Sequence, residues 1–450
     1  MPTLRTLSVV TVTTLMAGAI ATTAAAQADT SAPRDAQTEN SWQPTNETAY
    51  DSDRSSWDSL MDAQGRGTIF YGGSYRDYRV DTGRLSPPRT LARGDVSLRV
   101  SGIGRGHQCA TWDGAFGVAM GCRASTAAAW SKVNVSRSAN AEAIDVAVAA
   151  DGRSAMVVWA VVTSRKAKIY ASRFTFSNGR LAPAVALSNP VARRLPLTTD
   201  LVASGASGFL VAYGKQGAQR GRVASTYIQS TTDGRSWSRR SEVLLAPLGG
   251  TPAPVAFADL SHDGTGAVAL ATQDVSDATE ADEWMLASFQ GGRFSAVDEL
   301  PSMSRPQLAA VGEIISIVGA SPTTPDLLFY APGTQTAAIV EQPSMPEGAS
   351  RLGEFDVVGQ TSADGAPGFT VTAAYYAYDN DDDQVDRLYA ASGFMDASGA
   401  WDVSSFLELT PRASYEEGMG PRLAGFGRYA MVAYAANTEV VFGVRSPATM

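Results

Sequence analysis

From about residue 57 onward the chain lacks the three-to-four-residue apolar spacing of amphipathic helices. Short runs rich in Val, Ala, Phe and Tyr, about four to eight residues long, alternate instead with Gly, Asp and Asn, the pattern of strands joined by tight turns. One hairpin recurs: an apolar strand, a Gly-containing turn, then a second and more strongly apolar strand. Its turn-and-second-strand part reads Gly65-Arg66-Gly67 before Thr68–Tyr71, Gly104-Arg105-Gly106 before Gln108–Trp112, and Asp151-Gly152 before Ala155–Trp159. It returns at Gly205–Gly208 before Phe209–Tyr213, Asp263-Gly264 before Ala267–Ala271, and Gly312 before Ile314–Val318. The last copies are Asp364-Gly365 before Phe369–Ala373 and Gly425–Gly427 before Tyr429–Tyr434.

A second hairpin follows most copies, with turns at Thr82-Gly83-Arg84-Leu85, Asn178-Gly179-Arg180-Leu181, Asp233-Gly234-Arg235-Ser236-Trp237, Gly291-Gly292-Arg293-Phe294 and Ser398-Gly399-Ala400-Trp401. A tight turn needs a residue at positive φ, which Gly supplies without a Cβ penalty. The apolar residue after it is placed to fold back onto the sheet. Two hairpins make a repeat of strands A, B, C and D, returning every 40 to 60 residues or roughly so, the length of a propeller blade. The expected fold is therefore all-β: a β-propeller of eight blades, with seven as the fallback, each of four antiparallel strands. The last repeat stops after its third strand, and the segment from Trp42 to Tyr50 is expected to supply the fourth. The N- and C-terminal strands would then close the ring and remove exposed sheet edges.

Ahead of the repeats, Arg5, the apolar stretch Leu7–Ile20 and the small residues ending in Ala26-Gln27-Ala28 form a secretory leader with expected cleavage before Asp29. This divides the chain into a signal peptide at 1–28, a mature linker and closing strand at 29–56, and one propeller domain at 57–450. No lipid-anchor cysteine or hydrophobic tail is evident, so the expected product is a free extracellular monomer. The formal net charge of −9 argues against nucleic acid and anionic membrane as partners, which need concentrated positive surface. The two cysteines, Cys109 and Cys122, fit an oxidising compartment and are expected to form a disulfide between strands B and C of the second repeat.

The segment Ser230-Thr231-Thr232-Asp233-Gly234-Arg235-Ser236-Trp237 resembles the Asp-box, or BNR repeat, of secreted sialidases. In that family the motif Ser-x-Asp-x-Gly-x-Thr-Trp turns between the third and fourth strands of a blade, on the face opposite the active site. The resemblance thus implies architecture first. Sialidases also carry an arginine triad that opens with Arg-Ile-Pro, a Tyr/Glu nucleophile pair and an Asp acid. No Arg-Ile-Pro occurs here; Tyr415, Glu416, Glu417 and Arg422 stand where such a nucleophile pair could sit.

Other chemistry is sparse. In a propeller the B–C and D–A loops gather on one face, and Tyr71, Trp112, Trp159, Tyr213, Tyr375 and Tyr434 stand near the B-strand ends leading to it. Aromatic rings of this kind stack on sugars, or fill space between blades. B–C loops of the third and fourth repeats are basic, with Arg165, Lys166, Lys168, Lys215, Arg220 and Arg222, whereas those of the fifth and seventh are acidic. Asp379, Asp381 and Asp383 have the alternate spacing of a calcium loop, but Gln384 replaces the expected Gly and Ala390 the twelfth ligand. No cofactor other than calcium is suggested. With only His107 and His262, neither a Ser-His-Asp site nor a His-rich metal site is expected. The leading reading is a secreted propeller that binds an extracellular glycan, cell-wall material or protein on its B–C loop face. A sialidase-like glycoside hydrolase and a non-catalytic envelope scaffold are the alternatives.

Overall fold

The computed structural model describes Trp42–Thr45 and most of residues 57–445. The longer internal spans outside the described residues are 193–198, 217–222, 246–252, 263–267, 275–283, 322–326, 331–348, 379–383 and 410–420. Every described element is a β-strand, and the segment Thr38–Met450 forms one compact unit.

Turn chemistry sets the strand boundaries. Gly65, Gly106, Gly152, Gly205, Gly365 and Gly427, at the A–B turns of six repeats, all have φ between 57° and 90°. The C–D turns use Gly83, Gly179, Gly234 and Gly399 in the same way. As expected, the apolar residue that follows folds inward: Leu85, Leu181, Trp237 and Trp401 each pack on a core cluster.

Among the described residues the second strands of the repeats are deeply buried. In Ser154–Val162 every side chain is buried except that of Val161, which is partly covered, giving a continuous apolar run in place of alternation. The cause is packing on both faces. One cluster joins Cys109, Met120 and Val146 with Val157 and Phe174, across the second and third repeats. Another joins Ala147, Met156 and Ile169 with Phe209 and Tyr213, across the third and fourth. Similar clusters join the sixth to the seventh repeat and the eighth back to the first. The core therefore lies between sheets.

The first strands form the inner rim. Trp57–Met61 lies beside Leu98–Gly102, which lies beside Ala141–Val148, then Thr199–Ser204 and Ala253–His262. Ser304–Val311, Ala349–Thr361 and Arg422–Phe426 continue the series, and the last lies beside Trp57–Met61.

The expectation of eight or seven separate four-stranded blades, sealed by strand pairing of the two chain ends, is corrected. Among the described residues the strands fall into seven sheets of 4, 4, 6, 8, 5, 3 and 5 strands, so six sheets reach four strands or more. The fourth and fifth repeats merge into the eight-stranded sheet because Leu244 and Leu245 pair with Pro254 and Ala253. The three-stranded sheet is Ser304–Val311, Ile314–Ala320 and Leu327–Tyr330. Trp42–Thr45 pairs with Glu439–Arg445 within a single sheet, Trp42 opposite Arg445. Among the described residues no ladder passes from one of the seven sheets to the next, so hydrogen-bonded strand pairing does not close the ring. Side chains do that work.

Two glycines separate the conformational from the steric requirement. Gly83, at φ +61°, has open space where a Cβ would point, whereas a Cβ on Gly152, at φ +68°, would meet the His107 ring at 2.9 Å. Gly83→Ala is expected to cost about 1–2 kcal/mol for the left-handed backbone alone. Gly152→Ala should cost measurably more, because the junction of repeats two and three must also yield. Urea unfolding midpoints of the two variants check this, and equal losses would refute the wedge.

Candidate functional site

One level of the inner rim carries the three described carboxyls that burial raises, those of Asp58, Asp145 and Asp356. Asp58 stands opposite Phe70, Asp145 opposite Val158, Asp200 opposite Ala212 and Asp356 opposite Thr372 in their A–B ladders. Arg99, opposite Thr111, and Arg422, opposite Ala433, hold the corresponding places in the second and eighth repeats. In the fifth repeat Asp259 has that register position, opposite Ala271. Charged residues therefore recur at this register position in the first to fifth, seventh and eighth repeats.

The carboxylates are bound in a repeated way. Each accepts a hydrogen bond at Oδ1 from the next backbone N–H of its own strand: Ser59 to Asp58 at 2.8 Å, Val146 to Asp145 at 2.7 Å, Leu201 to Asp200 at 2.8 Å and Val357 to Asp356 at 3.0 Å. The other oxygen reaches the following repeat in two cases. Leu201 N donates to Asp145 Oδ2 at 3.1 Å, and Leu423 N to Asp356 Oδ2 at 2.7 Å. Uncharged side chains make comparable bridges elsewhere on the rim. Gln307 donates to Phe355 O at 2.9 Å, Ser101 Oγ accepts from Val148 N at 3.1 Å, and Ser59 Oγ donates to Arg422 O at 3.3 Å. Short polar side chains thus span the gaps that no ladder crosses.

Burial dominates the electrostatics of this ring. It pushes the Asp58 carboxyl up to about 7, against the lowering influence of the Ser59 amide, Arg422 and Arg99. It pushes Asp356 up to about 6, opposed by the Leu423 amide and Arg422. Asp145 is raised by burial first and then by the neighbouring Asp200 carboxylate. Perturbed carboxyls often mark reactive sites. In Asp145 and Asp356, however, both oxygens are engaged by backbone amides, which is a joining role.

A second buried charge is also structural. The Arg123 side chain is fully buried and pairs with Asp77 at 2.5 Å. It also donates to Gln108 Oε1 at 2.9 Å and Thr126 O at 2.9 Å, with its guanidinium 4.7 Å from the Trp130 ring centre. These contacts satisfy its fork and fasten the first repeat to the second.

The six aromatics expected to stack on a ligand are packing residues in this structure. Tyr71, Trp112, Trp159, Tyr213, Tyr375 and Tyr434 are all at most 7% exposed. Trp159 stacks on Tyr170 at 5.7 Å, Tyr213 bonds Gln229 at 2.8 Å, and Tyr375 meets Tyr389 edge-on at 5.7 Å. Burial holds the Tyr434 hydroxyl up at about 12. What sequence reading could not see is the neighbouring sheet that covers each ring. Of the other candidates, Arg422 lies on the inner rim near Asp58 and Asp356. Tyr415, Glu416 and Glu417 fall outside the described residues, as do Asp379, Asp381 and Asp383 with the calcium expectation. Among the described residues no group of three His, Cys, Asp or Glu is placed to hold a metal ion.

The Cys109–Cys122 disulfide is formed, between directly opposed residues with Cα atoms 4.1 Å apart. It staples the base of a B–C hairpin whose tip, Gly114 to Gly117, presents Phe116 at 85% exposure. The tip is anchored to its surroundings. Asp113 accepts from Ala143 N of the next repeat at 2.5 Å, and Gly117, at φ +116°, lies where a Cβ would strike Ser136 O at 2.3 Å.

The Asp-box-like segment folds between Val223–Thr231 and Ser241–Leu245, the third and fourth strands of its repeat. Asp233 Oδ1 accepts from the Arg235 and Ser236 amides at 2.8 and 2.7 Å, and these bonds hold its carboxyl down at about 2.

No protein-family model and no curated protein matches the chain. Among solved structures it is similar to a Dos1 propeller, with 8% identity and a TM-score of 0.50 over 89% of this chain and 94% of that one. The fold is a β-propeller. It is also similar to a structure from a study of two prolyl endopeptidases, at 14% identity and a TM-score of 0.48. That match covers 77% of this chain and 46% of the other, so the propeller chain spans less than half of that protein. Hydrazine synthase of Kuenenia stuttgartiensis shows 11% identity and a TM-score of 0.45, over 76% of this chain and 98% of that one. At such identities the propeller's likenesses speak to fold and to no activity. Nothing among them supports the sialidase-like family over other propellers. No described helix is long and apolar enough to cross a membrane.

The carboxyl ring makes the propeller's stability pH-dependent with a definite sign. A folded-state value raised above the ordinary 3.8 means that the folded chain holds protons that the unfolded chain has released. The contribution of Asp58 and Asp356 to stability should therefore fall as pH rises from about 4 to about 7. Asp58→Asn with Asp356→Asn should flatten this part of the profile, as read from melting temperatures at intervals between about pH 4.5 and about 8. An unchanged slope would refute the assignment.

Proposed function

We propose that the chain is an exported binding propeller that captures an extracellular glycan or cell-wall ligand on its B–C loop face. The observation that carries this reading is Phe116. A large apolar ring at 85% exposure sits at the tip of a hairpin with a disulfide at its base and hydrogen-bonded fastening at its flank. Exposing such a ring gives no folding benefit, whereas a pre-ordered aromatic loses little entropy when a partner covers it. Its surroundings suit a polar, ring-shaped ligand. The backbone carbonyls of Ser136 and Ser138 lie against Gly117 beside the tip, so an aromatic ring with polar backbone nearby is available to a sugar's apolar face and polar edge.

The secretory leader expected from residues 1–28 is the sequence feature behind the extracellular location. Catalysis is not part of the proposal. The rim carboxylates Asp145 and Asp356 already serve as acceptors for backbone amides, which argues against their use as a glycosidase pair.

A glycan array probed with the full chain should show saturable binding to at least one class of bacterial surface glycan. Phe116→Ala should weaken it by about tenfold or more, with an unchanged melting temperature. Binding untouched by this substitution would remove Phe116 from the site. Turnover of a fluorogenic sialoside by the full chain would replace the binding role with the hydrolase.

A further inference from the structure

The turns at the opposite end of the strands share a feature that ligand capture by Phe116 leaves unexplained. An arginine follows the turn glycine in repeat after repeat: Arg84, Arg153, Arg180, Arg235 and Arg428 directly, and Arg105 between Gly104 and Gly106. All six are exposed. Among the described residues none of the six forms an ion pair with a carboxylate, in contrast to Arg66, whose Nε holds Asp62 at 2.8 Å.

These turns are neighbours on one face. In an antiparallel A-B-C-D repeat the A–B and C–D turns fall at the same end, with B–C at the other. Contacts between successive repeats fix the arc. Ala63 N donates to Gly104 O, joining the first and second A–B turns, and Asp151 N donates to Ala206 O, joining the third and fourth. His107 lies against Gly152 between the second and third, and Tyr429 lies against Gly65 between the eighth and first. The A–B turns that carry Arg428, Arg105 and Arg153 are thus linked in one arc, and the C–D turns that carry Arg84, Arg180 and Arg235 lie at the same end of their strands.

Three acidic residues of this arc are engaged by its turns. Asp62 holds Arg66, Asp151 accepts from Arg153 N at 2.9 Å, and Asp233 accepts from the Arg235 and Ser236 amides. Their carboxylates cap turns while the guanidinium groups extend from them. Six exposed arginines without a carboxylate partner among the described residues thus stand at this end of a chain with 36 basic and 45 acidic residues. Guanidinium forks take planar oxyanions two bonds at a time, and several around an arc suit a polymer better than a single ion. Phe426 adds an apolar ring to the same arc: it is 41% exposed and packs over Gly104.

We propose that this arginine-bearing turn face binds an anionic polysaccharide, with the guanidinium groups on its carboxylates and Phe426 against a sugar ring. The choice of polysaccharide over other polyanions rests on the extracellular location proposed above; the binding face itself is separate from Phe116.

The test is titration of the full chain with polygalacturonate, dextran sulfate, neutral dextran and a short DNA duplex. Polygalacturonate should bind saturably, neutral dextran should not, and raising salt from about 50 to about 300 mM should weaken binding through screening. The variant R105Q/R153Q/R180Q/R235Q, whose changes are all on exposed side chains, should lose about tenfold or more in affinity with its melting temperature kept. Phe116→Ala should leave polygalacturonate affinity within about twofold, which separates failure of this face from failure of the loop face. Stronger binding of dextran sulfate with the same arginine dependence supports the face and assigns it sulfate esters over carboxylates. Equal affinity of the parent and the quadruple variant would overturn the proposal, and so would a DNA duplex bound as tightly as either acidic glycan.

Discussion

The architecture depends on how inner strands of neighbouring sheets are held together without a ladder between them. Where one sheet ends and the next begins, backbone groups on the rim cannot pair as they do within a sheet, and an unmet buried amide costs about 1–3 kcal/mol. The molecule answers with short polar side chains. Asp145 and Asp356 each hold an amide of their own strand and one of the next, while Gln307, Ser101 and Ser59 make single bridges. A carboxylate suits this task because it accepts from several donors in divergent directions. The burial that comes with the task raises its proton affinity, so fastening and titration are two results of one placement.

Outside the rim, cohesion is apolar and lies between sheets. This explains why the second strand of each repeat reads as a nearly unbroken hydrophobic run. It also explains why a disulfide between adjacent strands of one sheet, Cys109 to Cys122, braces a hairpin and does not join repeats. Arg123 crosses a junction as a buried charge, and it does so with an anion, two polar side chains and two aromatic rings around it.

The parts of this fold legible in the sequence are those fixed by local backbone chemistry. Gly65, Gly106 and Gly152 announce their turns because no other residue adopts their φ so cheaply, and Trp237 and Trp401 follow such turns inward. Sheet membership was not legible. Pairing of Leu244–Leu245 with Ala253–Pro254 depends on how two repeats meet, which leaves no mark on either repeat alone. The aromatic set shows the same limit. Tyr213 and Trp159 look like the rim of a binding face by position, but the adjoining sheet buries them. The carboxyl ring had a sequence mark that strand-by-strand reading passes over. Asp145-Val146, Asp200-Leu201 and Asp356-Val357 each place an Asp before a buried apolar residue on the first strand of a repeat. Superposing the repeats, in place of searching for a catalytic motif, brings that mark out.

The merged sheet of the fourth and fifth repeats gives the wheel a direction of weakness. Among the described residues seven hydrogen-bonded sheets meet at side-chain junctions, but within this double plate a backbone ladder runs across the boundary between two repeats. Pulled apart or slowly melted, the circle should part first where only side chains clasp, leaving the double plate as the last fragment to lose its outline.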